Sequence, residues 1–151
     1  MKIHQYAHFD VASDVYDPDA ITAALLIEPT KVSWKESKST DPPIPRSHLW
    51  QYRAKGDGSV DDLVRELLGV FIPLRTSIAE LRTDGACRVE IRFMRSFGDP
   101  DGEEEDAGPE DLPSNLVRLP GQHQLLGFHL DTELMSQLVS LGCSLDFDEY
   151  G

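Results

Sequence analysis

A short basic stretch in an otherwise acidic chain carries the residue types best suited to binding an anion. Residues 31–55 hold six lysines and arginines against two acids, a net charge of +4, whereas the whole 151-residue chain carries -13. Aromatic residues are interleaved with these cations and can add stacking and cation–π contacts. The pattern predicts a surface for a small anionic ligand or for a partner's acidic segment, formed by Trp34, Lys35, Arg46, Trp50 and Tyr52.

The same aromatic residues also fit a purely structural role. Trp50 and Tyr52 are two positions apart on a predicted strand, so they share one face and can both enter the core. Trp34 would then pin the neighbouring loop, and the lysines would be ordinary solubilising charge. Residue type alone favours this second interpretation over a binding surface.

Polar residues on the first and last predicted strands offer a different kind of chemistry. The candidate ligands for a metal-dependent hydrolase are His8, Asp10, Asp146 and Asp148. Residues two apart on a strand share a face and lie about 6.8 Å apart, so His8 with Asp10, or Asp146 with Asp148, could bind one metal ion. A third ligand at convincing spacing is missing, and cross-strand pairs of Arg with Asp explain the same residues as a solvated sheet face. We therefore predict no metal, no cofactor and no catalytic residue, and we leave the hydrolase as the least favoured alternative.

Hydropathy patterns predict the elements that must position these side chains. Alternating residues indicate strands, and apolar stripes behind capping residues indicate helices. One long stripe, opened by Ser59 and Asp62 as a capping box, contains Pro73, which should kink its helix. The predicted strands are residues 3–11, 48–54, 86–95, 125–130 and 143–147, with a short strand at 32–34, and the helices follow Asp17, Ser59 and Asp131.

This order, βαβαββαβ, predicts one α+β domain over residues 1–151, a two-layer sandwich of ferredoxin-like type with a long kinked second helix. Residues 99–111 contain eight carboxylates and no lysine or arginine. We predict that residues 99–121, which are acidic and contain proline and glycine, form a flexible loop insertion.

Composition narrows the function classes. The chain lacks the basic footprint that sequence-general nucleic-acid binding requires, so such binding is disfavoured. No run is long enough for a signal peptide or a membrane span, and Cys87 and Cys143 are expected to be buried reduced thiols. We expect a cytoplasmic protein.

Several short motifs, in their order and spacing, resemble the bacterial DUF4279 family along nearly the whole chain. They are YAHFDV (6–11), DPDAI (17–21), IEPTK (27–31), WK (34–35), WQY (50–52), GFHL (127–130) and LGCSLDFD (141–148). The chain departs from the family in its acidic insertion and at Glu36-Ser37, where the family tends to have Gly-Asp. The resemblance supports the fold class and implies no activity.

We expect a non-catalytic binding or interaction module. Small size, strong acidity and the lack of catalytic motifs favour an immunity-like or antitoxin-like protein, since an acidic surface attracts a basic protein partner. The alternative within the binding class is a sensor domain for a small anionic ligand. The sequence does not indicate an oligomeric state.

Overall fold

A mixed β-sheet with helices against one face organises the part of the chain that the structure describes, which is residues 2–56, 58–104 and 129–150 of a computed structural model. The elements in chain order are β1 (Lys2–Ser13), α1 (Pro18–Leu25), β2 (Lys31–Ser33), β3 (Ser39–Thr40), β4 (Pro43–Ile44), β5 (His48–Arg53), α2 (Val60–Phe71), α3 (Arg75–Leu81), β6 (Cys87–Phe97), β7 (Glu103–Glu104), α4 (Thr132–Leu141) and β8 (Ser144–Tyr150).

The long strand β1 lies at the centre of the sheet, whose order is β2-β5-β1-β6-β8. β1 pairs antiparallel with β5 and with β6, β2 pairs antiparallel with β5, and β6 and β8 form a parallel pair. The short strand β7 pairs with the first residues of β1, and β3 and β4 form a separate hairpin. Because β1 is longer than β5, its first residues pair with β7 and its later residues pair with β5.

The α+β class is confirmed, and the helices and strands β1, β2, β5, β6 and β8 overlap predicted elements. The ferredoxin-like order and the two-layer sandwich are not confirmed, because the strand predicted at residues 125–130 lies outside the described residues, apart from its last two positions, which are not in a strand. Of the predicted insertion at residues 99–121, the structure describes only residues 99–104, which include β7. The rest of that prediction also lies outside the described residues.

The core forms where the inward face of the sheet meets the helices. Phe9 stacks on Phe71 of α2, with ring centroids 3.7 Å apart, and Trp50 is fully buried beside them. The buried indole Nε1 of Trp50 donates a hydrogen bond to Thr22 Oγ1 of α1 at 3.0 Å, which satisfies its one polar group. Trp50 and Tyr52 face the same side as predicted, since they lie opposite Val11 and Phe9 on β1.

Local sequence signals fix the helix ends. Asp17 and Asp131 accept hydrogen bonds from the backbone of Ala20 and Leu134, each at 2.8 Å, and thereby cap α1 and α4. α4 ends at Gly142, whose φ of 58° is left-handed as expected for a C-terminal glycine. The predicted kink at Pro73 is present as a break: α2 ends at Phe71, and a single 3-10 turn (Ile72–Leu74) leads into α3.

Ser59 and Asp62 form the capping box that the sequence predicts for α2. Asp62 N–H donates to Ser59 Oγ at 3.3 Å, while Ser59 N–H and Oγ–H both donate to Asp62 Oδ2, at 3.1 and 2.6 Å. The bond from the Ser59 hydroxyl, followed by that from its backbone, holds the pKa of Asp62 below its ordinary value.

We expect Ser59→Ala to lower the free energy of unfolding by about 1 kcal/mol, because the helix loses its N-cap acceptor. Urea denaturation followed by circular dichroism measures this change. Ser37→Ala, in an exposed turn, is the control and should shift stability by less than about 0.5 kcal/mol. Equal effects of the two variants would contradict the capping role.

Candidate functional site

Three of the five predicted binding residues lie on a hairpin arm, which we define as residues 34–46. The arm is held by backbone bonds from Glu36 to Pro45 at 2.9 Å and from Lys38 to Ile44 at 2.8 Å. Trp34 is 40% exposed and stands edge-on to His48, with ring centroids 5.9 Å apart. Lys35 donates its backbone N–H to the same imidazole at 3.1 Å, and Arg46 is exposed.

The other two predicted residues lie elsewhere. Trp50 has no exposed surface and belongs to the core. Tyr52 is half-buried, with its ring edge-on to Phe71 at 5.5 Å, and it also lines a cleft at the far end of β5. The structure therefore brings Trp34, Lys35 and Arg46 onto one arm and separates them from Trp50 and Tyr52.

That cleft, here called the strand-gap cleft, opens where the pairing of β1 is interrupted. β5 pairs with β1 only as far as His8, with one further bond from Ala54 N–H to Ala7 O at 2.9 Å, and β7 pairs only with Lys2 and Ile3. Among the described residues, no strand pairs with residues 4–6 on this side. The resulting volume is about 850 Å³, lined by Ile3, His4, Gln5, Thr30, Tyr52, Arg53, Ala54, Lys55, Gly56, Gly58, Ser59 and Asp101.

Gln5 presents unused polar groups to this cleft. In an antiparallel ladder, alternate residues direct both backbone groups to the same side, and Ala7 O points towards β5, so the N–H and C=O of Gln5 point into the gap. The Gln5 side chain donates to Gly58 O at 2.8 Å, while its buried Oε1 has no hydrogen-bond partner among the described residues. The backbone N–H and C=O of Gln5 are thus the groups of this residue that a bound molecule can contact.

Gly102 follows Asp101, which lines the cleft, and lies directly against the backbone of β1. A Cβ at this position would lie 2.7 Å from the backbone carbon of Ile3 and 2.9 Å from the nitrogen of His4. Only glycine lets the chain approach β1 this closely, which places the turn before β7 against the gap.

Cationic residues outnumber acidic ones in the lining of the cleft, which includes Arg53 and Lys55 but only one acid, Asp101. The Arg53 guanidinium lies 4.3 Å from the ring centroid of Tyr6. Glu66 accepts the backbone N–H groups of Lys55 and Gly56 at 2.6 and 2.9 Å, which fixes the loop that carries Lys55. The arrangement can hold an anion by charge and by hydrogen bonds.

The outer face of the sheet, opposite the helices, is polar as predicted. His4, Tyr6 and His8 follow one another along β1 with ring centroids 5.3 and 5.2 Å apart. Arg92 contacts Glu90 at 2.6 Å and Asp146 at 3.4 Å, which confirms the expected pairing of Arg with Asp across strands. Among the described residues, no three metal-ligating side chains come together, so the hydrolase hypothesis gains no support.

Asp10 is the outer-face residue whose surroundings the sequence did not reveal. Only 3% of it is exposed, and Gln51 Nε2 donates to both of its oxygens, at 3.0 and 3.2 Å. Burial raises the pKa of Asp10 to about 6, although the Gln51 bond and the charge of Arg92 act in the opposite direction. His8 beside it has a lowered pKa, first through burial and then through Arg53, Lys31 and Arg92.

The two cysteines are free thiols with little reactivity. Cys87 is buried and Cys143 is half-buried. Burial raises the pKa of both thiols, that of Cys143 to about 12, and only the thiolate is a good nucleophile. Neither is suited to covalent catalysis.

Fold and site together define a small α+β protein with an open, cation-lined cleft at a gap in its sheet. The chain belongs to the family described as domain of unknown function DUF4279, whose family model matches residues 1–151, so the resemblance seen in the motifs is confirmed. No curated protein and no solved structure matches the chain. Among the described helices, none combines the length and the hydropathy needed to cross a bilayer.

Proposed function

We propose that this protein is a non-catalytic binding module that takes a small anionic molecule into the strand-gap cleft. The observation that carries the proposal is the volume of about 850 Å³ lined by Arg53 and Lys55 against one acid. Ligand sites in proteins usually measure about 300–1,000 Å³ and hold a few convergent polar groups. The cleft has both properties.

The lining suggests how the ligand is held. Lys55 supplies a charge on a flexible stem, which suits a carboxylate or a phosphate without demanding one geometry. The backbone N–H of Gln5, which points into the gap, is a further donor at the same opening. Asp101 on the rim disfavours ligands of high negative charge, so we expect monoanions and dianions to bind best.

Lys55→Gln should weaken anion binding by about 10- to 100-fold, because one charge-assisted hydrogen bond contributes about 1.5–3 kcal/mol. Isothermal titration calorimetry with inorganic phosphate, succinate and a nucleoside monophosphate measures this loss. Lys35→Gln, on the hairpin arm, makes the same change of charge outside the cleft and is the matched control.

Two results would count against the proposal. If none of the three probes binds at millimolar concentration, the cleft is not an anion site of this class. If Lys35→Gln weakens binding and Lys55→Gln does not, the anion binds at the hairpin arm instead.

A second candidate is protein binding through the hairpin arm and its flanking strand. Val32, Trp34 and Ile44 are 39%, 40% and 47% exposed within the basic segment, and exposed apolar groups among cations suit a partner's acidic segment. An immunity-like or antitoxin-like role stays a prediction, since it rests on the net charge of -13, which attracts a basic partner. Salt-sensitive association with such a partner would support it.

We also propose a cytoplasmic location and a two-layer arrangement of the whole chain. The free thiols of Cys87 and Cys143 suit a reducing compartment. Buried residues from α1, α2, α3 and α4 join those of one sheet face in a single core cluster, which is the packing expected of two layers.

A further inference from the structure

A second cavity lies beside the first residues of β6, where β8 does not pair with that strand. β6 starts at Cys87, but β8 pairs with it only from Glu90 onward, opposite Ser144. The space, here called the Asp10 cavity, has a volume of about 380 Å³. Its charged lining residues are Asp10, Glu90, Arg82, Arg88 and Arg92. The Arg82 guanidinium donates to Leu141 O at 3.2 Å.

Asp10 in this cavity has fewer hydrogen bonds than a buried carboxyl group can accept. Its described hydrogen bonds come from a single nitrogen, Gln51 Nε2, whereas an ionised carboxylate offers about four acceptor sites. Burying an incompletely paired carboxylate is costly. A donor from a bound molecule would remove that cost.

The charges around Asp10 indicate which donor fits. Arg92 is already engaged by Glu90 and by Asp146, on the outer face. Glu90 lies directly opposite Asp10 across the β1–β6 pair, so two acids converge. Lys31 on β2 lies beyond Gln51, and His8 precedes Asp10 on its own face of β1. A compact cation with several N–H groups satisfies this pair of carboxyl groups best.

Arg88 adds a cation at the edge of the same cavity. It is exposed, lies on the same face of β6 as Glu90, and has no described ion pair. The cavity lining therefore combines the carboxyl groups of Asp10 and Glu90 with the guanidinium of Arg88, which has no ion pair among the described residues. A molecule that carries both charges matches this combination.

We infer that the Asp10 cavity binds a small zwitterion of the amino-acid class, with its ammonium group at Asp10 and Glu90 and its carboxylate at Arg88. This site is separate from the strand-gap cleft, which lies at the other end of β1, and it does not depend on the proposed function there. An anion and an amino acid should bind without competing.

Calorimetry with L-alanine, L-glutamine, ethylamine and acetate tests the inference on the full chain. The amino acids should bind at least tenfold more tightly than ethylamine or acetate. Asp10→Asn, which keeps an acceptor for Gln51, should weaken amino-acid binding at least tenfold. Arg88→Gln should reduce amino-acid affinity to that of ethylamine, and Asp148→Asn, on the same face but outside the cavity lining, should change it less than twofold.

The pH dependence gives an independent check. Because Asp10 must be ionised to accept the ammonium group, amino-acid affinity should fall about tenfold per pH unit below pH 6 and stay level from pH 7 to 8. Absence of amino-acid binding at 10 mM would overturn the inference. Unchanged affinity in both Asp10→Asn and Arg88→Gln would overturn it as well.

Discussion

Replacing Trp50 with alanine should lower the free energy of unfolding by about 3–5 kcal/mol, the usual cost of removing a fully buried aromatic side chain. Trp50 is 0% exposed, packs edge-on against Phe71 with ring centroids 6.2 Å apart, and donates to Thr22. The substitution loses these contacts and leaves a cavity between α1, α2 and β5. Urea denaturation followed by circular dichroism measures the loss.

Trp34→Ala is the matched control, because it removes the only other tryptophan from the surface of the hairpin arm. It should change stability by less than about 1 kcal/mol. If Trp50→Ala does not fold, Trp50→Phe, which keeps most of the apolar volume, still has to cost more than Trp34→Ala. A larger loss from the Trp34 variant would contradict the burial of Trp50.

Asp10→Asn should stabilise the protein at pH 7 and change the pH dependence of its stability. The pKa of Asp10 is about 6 in the folded state and is taken as 3.8 when unfolded, so the folded state holds this proton more tightly. The stabilisation of the folded state by the protonated Asp10 is therefore complete below pH 4 and is lost as the pH rises to about 6 and beyond. The loss is on the order of 3 kcal/mol, at 1.36 kcal/mol per pKa unit.

Urea denaturation between pH 4 and pH 8 tests this effect as the difference between the wild type and Asp10→Asn, since titration of the other carboxyl groups is common to both. The variant should gain stability relative to the wild type as the pH rises through 4 to 6. Asp148→Asn should show no such trend. A difference independent of pH would mean that Asp10 is not a costly buried carboxylate.

Local features of this fold follow from short-range sequence rules. The caps at Asp17, Ser59 and Asp131 and the break at Pro73 depend on residues within one helical turn, so type and spacing suffice to predict them. The shared face of Trp50 and Tyr52 follows from the two-residue period of a strand. These predictions needed no knowledge of which strands are neighbours.

The strand-gap cleft could not be predicted in this way. It exists because β5 pairs with β1 only from His8 onward and β7 pairs with β1 only at Lys2 and Ile3. Both limits depend on strand register. The basic stretch gave a partial signal, since Tyr52, Arg53 and Lys55 belong to it and line the cleft. Trp50, in the same stretch, instead belongs to the core.

The surroundings of Asp10 were hidden for the same reason. Alternation along β1 places Asp10 on the outer face, and that face is expected to be solvated. Its burial and its bond to Gln51 depend on the β1–β5 register, which places Gln51 directly opposite. Sequence patterns assign a residue to a face, whereas register decides which side chains meet there.

Two-dimensional ¹H–¹⁵N NMR during titration with inorganic phosphate shows whether the strand-gap cleft binds a small anion. We predict saturable shifts of the backbone amides of Gln5, Lys55 and Gly56, and little change at the indole signals of Trp34 and Trp50. Shifts confined to Trp34, Lys35 and their neighbours on the hairpin arm, or no saturable shift at all, would contradict the claim.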